Sequence, residues 1–163
     1  MNMDLIPTPS QTIGPFFHLC LTPNWKAPEG DRIHMSCRIF DGDGALVDDA
    51  MLEVWQADAA GRYGCFGRFC TNEDGVCAFD TVKPGRVAEQ APHLNVLLFA
   101  RGLLKQLYTR IYFADEPSNQ SDPILALVPE DRRNTLMAHP AESNIWNFEI
   151  RLCSDCETVF FDV

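Results

Sequence analysis

Gln90-Ala91-Pro92-His93-Leu94-Asn95-Val96-Leu97-Leu98-Phe99-Ala100-Arg101-Gly102 is the stretch on which the reading of this chain turns. A proline leads in, a run of Leu, Val and Phe follows, and a glycine closes it. That pattern predicts a central strand buried on both faces. Successive strand residues point to opposite faces, so His93 and Asn95 share one face and offer two side chains to one ligand. Two histidines at this spacing could both hold a metal. The second position here is Asn95, whose neutral amide oxygen is a poor ligand for a transition metal.

With 163 residues, 46% of them hydrophobic, the chain is long enough for one domain, residues 1–163, with a core that needs no staples. Its formal charge of -10 and pI near 4.7 oppose a nucleic-acid or anionic-membrane surface, because phosphates attract basic patches. Met1 to Pro9 shows no basic region followed by an apolar run, and no stretch reaches the length of a membrane span, so the expectation is a soluble, cytoplasmic chain. The seven cysteines are scattered and odd in number, which suits reduced thiols. Cys153-Ser154-Asp155-Cys156 has the spacing of half a zinc site but lacks a second pair, and it reads as a turn.

Residues 1–30 carry Pro7, Pro9, Pro15, Pro23 and Pro28, which predicts an extended arm whose Ile13, Phe16, Phe17 and Trp25 must lie on a core or a neighbour. Ile33 to Phe40 alternates and runs into the turn Asp41-Gly42-Asp43-Gly44, the pattern of a strand and hairpin. Met51 to Gln56 is a further strand. Phe66 to Thr71 and Val76 to Val82 suggest a pair across Asn72-Glu73-Asp74-Gly75, and Leu107 to Phe113 is expected to pair with the central strand. Residues 114–144 look irregular, with one short helical piece near Pro129 to Met137. Trp146 to Leu152 alternates, and Glu157 to Val163 closes the chain as an apolar terminal strand. About eight short strands with turns between them predict an all-β, antiparallel β-sandwich with an extended N-terminal arm and one short helical segment.

Thr8-Pro9-Ser10-Gln11-Thr12-Ile13-Gly14-Pro15-Phe16, Leu52-Glu53-Val54-Trp55-Gln56-Ala57-Asp58, Thr81-Val82-Lys83-Pro84-Gly85, Phe99-Ala100-Arg101-Gly102 and Glu157-Thr158-Val159-Phe160-Phe161-Asp162 together resemble the intradiol ring-cleavage dioxygenases. The five blocks cover nearly the whole chain in order. The resemblance implies a β-sandwich and an iron(III) held by two tyrosines and two histidines. Carried over position by position, one tyrosine matches Tyr63 and the first histidine matches His93. The other tyrosine falls at or near Val87, and the second histidine falls at Asn95. Gln90 stands where the catalytic chains have an arginine.

Within the family, the pattern implies the alpha type of chain, partner of an iron(III)-bearing catalytic beta chain in a hetero-oligomer that cleaves protocatechuate with O2 to 3-carboxy-cis,cis-muconate. Two of four ligands being absent, the expectation is no metal and no catalytic residue in this chain, with Tyr63, His93, Asn95 and Val87 a degenerate remnant. The resemblance places Thr12, Gly14, Pro15 and Arg101 at the mouth of the partner's substrate pocket. An intersubunit ion pair is the other reading of Arg101. The chain is shorter than the alpha pattern, and the segments from Leu21 to Arg32, Tyr63 to Phe66 and Gly85 to Gln90 look trimmed. Two rival readings remain: a stand-alone noncatalytic sandwich that binds a small ligand or protein partner, and an iron dioxygenase with substituted ligands.

Overall fold

The computed structural model describes residues 21, 22, 25 and 27–162. Alternating and β-branched or aromatic runs form eight strands: β1 (Arg32–Phe40), β2 (Met51–Ala57), β3 (Tyr63–Cys70), β4 (Val76–Val82), β5 (His93–Phe99), β6 (Leu107–Phe113), β7 (Met137–Glu142) and β8 (Ile145–Arg151). They hydrogen-bond in the order β3-β2-β5-β6-β7-β8-β1-β4. The protein is all-β. Its ladder is one continuous, nearly closed sheet rather than two separate ones, although β6 and β7 meet over only two paired positions, Tyr112 with Met137 and Phe113 with Ala138. Inward side chains from both halves of the order, among them Met35, Ile39, Val54, Leu98, Phe113 and Phe148, meet in one core. Burying each such side chain stabilises the fold by about 1.5–3 kcal/mol before conformational entropy is charged against it.

Several expectations are corrected. The pairing is mixed: β1 runs parallel to β8 and β6 parallel to β7, because the chain returns to these neighbours from a distance instead of through a hairpin. β3 and β4 share a turn but no ladder, and they are the two ends of the order. β3 pairs with β2 and β4 with β1, and between them Phe69 stacks on Phe79 with centroids 4.3 Å apart. The expected hairpin after β1 shrinks to one bridge, Phe40 with Leu46, closed by Asp41, whose Oδ1 accepts from the amides of Asp43 and Ala45. The supposedly irregular residues 114–144 hold β7 and three 3₁₀ helices, Pro117–Ser121, Leu125–Leu127 and Glu130–Leu136, not one helical piece. The apolar C-terminal segment is not a strand: it makes one β-bridge, Tyr108 with Phe161, and is held to the sheet by the bonds from Thr109 Oγ1 to the Val159 carbonyl and from the Thr158 amide to the Arg151 carbonyl.

β5 lies between β2 and β6, as its composition predicts, but only one of its faces is core. Leu94, Val96 and Leu98 are fully buried there, while Asn95, Leu97 and Phe99 on the opposite face are half-buried. Most of the expected arm, with Thr12, Gly14 and Pro15, lies outside the described residues. Trp25 does lie on its own domain: its indole donates to the carbonyl of Asp80 (2.6 Å) and packs edge-on against Phe69.

Candidate functional site

The face of β5 turned away from the core presents His93 and Asn95, and cross-strand register supplies their neighbours. Asn95 sits opposite Trp55 of β2 and Arg110 of β6, while His93 sits opposite Tyr112. Directly opposed residues share a face, so Tyr108, Arg110 and Tyr112 of β6 all lie on this side.

Tyr63 reaches the same face through a bulge. Gln56 pairs with Cys65, but Ala57 then pairs with Tyr63, and the extra residue is Gly64, at φ +150°. Without that residue the two-residue period would turn Tyr63 to the core side. Asp58 fixes the loop before it, accepting from the amides of Ala60 and Arg62 through Oδ1. Gly85 donates to the Asp58 carbonyl, and a Cβ at Gly85 would lie 2.5 Å from the carbonyl oxygen of Ala59, so a glycine is needed where these loops meet.

These elements bring together Tyr63, His93 and Asn95, as the resemblance implies. The Tyr63 hydroxyl is 3.0 Å from His93 Nε2, and Asn95 Nδ2 donates to the same hydroxyl (3.2 Å). Tyr108 donates to Asn95 Oδ1 (2.6 Å), and Arg110 donates from Nε to Tyr108 (3.3 Å) and from Nη1 to Gln90 (2.8 Å) and Tyr112 (3.4 Å). His93 Nδ1 meets the Ala91 carbonyl (2.7 Å). Val87 is on the loop before β5, closed by two backbone hydrogen bonds with Gln90, which in turn meets the cluster through Arg110.

Asp122 anchors one end of the cluster. It is 1% exposed, and its carboxylate accepts from the Tyr112 hydroxyl and from the amides of Ala91, Ile124 and Leu125. It therefore ties the 3₁₀ segment to the entry of β5, and Leu125, Val128 and Leu136 form with Tyr112 and Ala91 a second small core over this end of the face. Burial pushes the His93 imidazole below its ordinary pKa, with the Arg110 charge adding to that effect and the Ala91 carbonyl and Asp122 opposing it. Burial, the largest effect, also pushes the Tyr112 phenol up.

Tyr108, Arg110, Tyr112 and Asp122 are neighbours in this network that sequence reasoning did not single out. A signal for three of them was present: Tyr108, Arg110 and Tyr112 alternate through the strand already expected beside β5. Arg101 lies apart, paired with Asp49 (3.1 Å) of its own chain, with its side chain 69% exposed.

No protein-family model matches the chain. It is 42% identical to the protocatechuate 3,4-dioxygenase alpha chain of Burkholderia cepacia, over 96% of this chain and 97% of that one. The chain belongs to the protocatechuate 3,4-dioxygenase alpha chains, within the intradiol dioxygenases. The alpha chain of Pseudomonas putida is 40% identical, over 99% of this chain and 100% of that one, in an alignment of 201 positions against 163 residues here. The beta chain of Burkholderia cepacia is 32% identical over 79% of this chain and 65% of that one. Among solved structures, the dioxygenase domain of a dioxygenase carbohydrate-binding fusion from Streptomyces sp. SirexAA-E superposes with a TM-score of 0.67 at 25% identity, covering 94% of this chain and all of that one.

Iron is the metal the family implies, and the donor set does not fit it. The lone pair of His93 Nε2 is engaged by the Tyr63 hydroxyl, and the Asn95 amide is spent on Tyr63 and Tyr108. Among the described residues no three His, Cys, Asp or Glu side chains converge as a metal-binding group. His34, a histidine free in composition, is committed to Asp80 at 2.8 Å.

Proposed function

We propose that this chain is the noncatalytic subunit of a two-chain protocatechuate 3,4-dioxygenase. The partner beta subunit holds iron(III) and cleaves protocatechuate with O2 between the two hydroxylated carbons, giving 3-carboxy-cis,cis-muconate. The carrying observation is Asn95: the place of a second histidine is taken by an amide whose oxygen and nitrogen are both committed to neighbouring phenols. Its relation to both alpha and beta chains supports a heteromer of the two. In this reading residues 1–163 form one cytoplasmic domain, and the two halves of the sheet order pack face to face as a sandwich, since their inward side chains share a core.

This chain's contribution to the shared site is positional. Thr12, Gly14 and Pro15 border the mouth of the partner's pocket, and Arg101 draws the benzoate carboxylate toward it. The Arg101 pair with Asp49 is no obstacle, because an ion pair with so exposed a guanidinium is worth about 0–1 kcal/mol, and a second carboxylate can share or replace it. The experiment is iron per chain, with the visible tyrosinate-to-iron absorption, for this chain expressed alone and then with its beta partner. Iron and colour only in the co-expressed complex support the assignment. Stoichiometric iron and colour in the isolated chain would overturn it.

A further inference from the structure

Four hydrogen bonds connect Arg110 to His93, and both ends of that connection have only one possible direction. A guanidinium only donates, so the bond from Arg110 Nε makes the Tyr108 oxygen an acceptor and leaves its proton for Asn95 Oδ1. The Asn95 NH2 then turns to the Tyr63 oxygen, and Tyr63 donates to His93 Nε2. At the other end the Ala91 carbonyl only accepts, so His93 carries its proton on Nδ1. Every hydroxyl and amide along the path points from the cation to a neutral imidazole. Chains of this kind polarise one another in the same sense.

The cation at the head of the path is unusual in its surroundings. Arg110 is half-buried, and no ion pair among the described residues includes it. Its other hydrogen bonds go to the neutral Gln90 and the Tyr112 hydroxyl. Asp122, a nearby carboxylate, is separated from it by that hydroxyl and spends its other bonds on three backbone amides. Burial works against the Arg110 charge, and the bonds to Tyr108 and Tyr112 hold it.

We propose that the Arg110 guanidinium takes the place of a metal cation as the charge around which Tyr63, His93, Asn95 and Tyr108 are ordered, and that it keeps metal cations out of this pocket even when a second imidazole is supplied. Two effects act together. A metal at Tyr63 and His93 must displace the proton that Tyr63 gives to Nε2, which breaks the path from Arg110. It must also sit within the field of a half-buried unit charge of the same sign, where repulsion is screened far less than in water. The inference stands on this chain's own hydrogen bonds.

The test is Co2+ binding to the full-length chain, followed by isothermal titration and by the visible d–d absorption of the ion. The exposed thiols Cys153 and Cys156 give every variant the same background. Asn95→His alone is expected to bind Co2+ no more tightly than the unaltered chain. Adding Arg110→Gln is expected to tighten binding at least about 30-fold, the size of one like charge removed at close range after discounting for partial exposure. Adding Arg110→Lys instead, which keeps the charge and loses the fork, is expected to leave binding as weak as in Asn95→His. Tight binding by Asn95→His alone, equal binding by the two double variants, or no gain from Arg110→Gln would each overturn the proposal. A measurement on the unaltered chain covers variants that fail to fold: a long-range 1H–15N spectrum should show neutral His93 protonated on Nδ1. The Nε2–H tautomer would refute the ordering by Arg110.

Discussion

Removing the Asp122 carboxylate is expected to cost this protein a large part of its stability, and the structure gives the amount. Four donors converge on it. Ala91, Tyr112 and Leu125 are buried, whereas Ile124 is half-buried and can turn its amide to water. Asp122→Ala therefore strands three buried donors at about 1–2 kcal/mol each, or about 4 kcal/mol in total. Asp122→Asn keeps one oxygen for the donors now on Oδ1 but sets an NH2 group against the Ala91 amide, so its cost is about 2 kcal/mol. Against a typical stability of about 5–15 kcal/mol, the alanine variant stays folded with little margin. Urea unfolding of the full chain, followed by Trp fluorescence, reads both losses. With a slope of about 2 kcal/mol/M the midpoint falls by about 2 M for alanine and about 1 M for asparagine. An alanine variant whose midpoint moves by less than about 0.5 M would refute the reasoning, since the stranded donors would then have found other partners.

Two further expectations follow from named groups. His93 is held below its ordinary pKa of 6.5, chiefly by burial, so the unfolded chain takes up the proton first as pH falls. Its contribution is full above that pH and is lost as pH drops from there through the folded value. His93→Gln should flatten urea midpoints between pH 7.5 and 5.5 relative to the unaltered chain, and parallel profiles would remove His93 as the cause. In the assembled enzyme, Arg101→Ala should raise KM for protocatechuate by about 10-fold with kcat and melting temperature little changed, the worth of one charge-assisted contact. An unchanged KM would take Arg101 away from the substrate mouth.

Local chemistry by itself determined the all-β class, the strands β1, β2, β4, β6 and β8 to within a residue, β5 inside a stretch three residues longer at each end, and the shared face of His93 and Asn95. Each of these depends on a period of two and on turn residues a few positions away, which the chain carries wherever it folds. The absent second histidine was equally plain, because Asn95 differs from a metal ligand in its own chemistry. The tertiary structure decided which strands met. β3 and β4 share a promising turn and yet part to opposite ends of the order, since each gains more by pairing with β2 and β1 and burying its inward face. It also decided where Tyr63 points. A single bulge at Gly64 reverses the side of the sheet a residue faces, and whether the ladder takes up that extra residue depends on the partner strand. Arg110 shows the same limit. Its alternation with Tyr108 and Tyr112 was visible, but its place at the head of a path to His93 follows from the β5–β6 register, a long-range property that no local period contains.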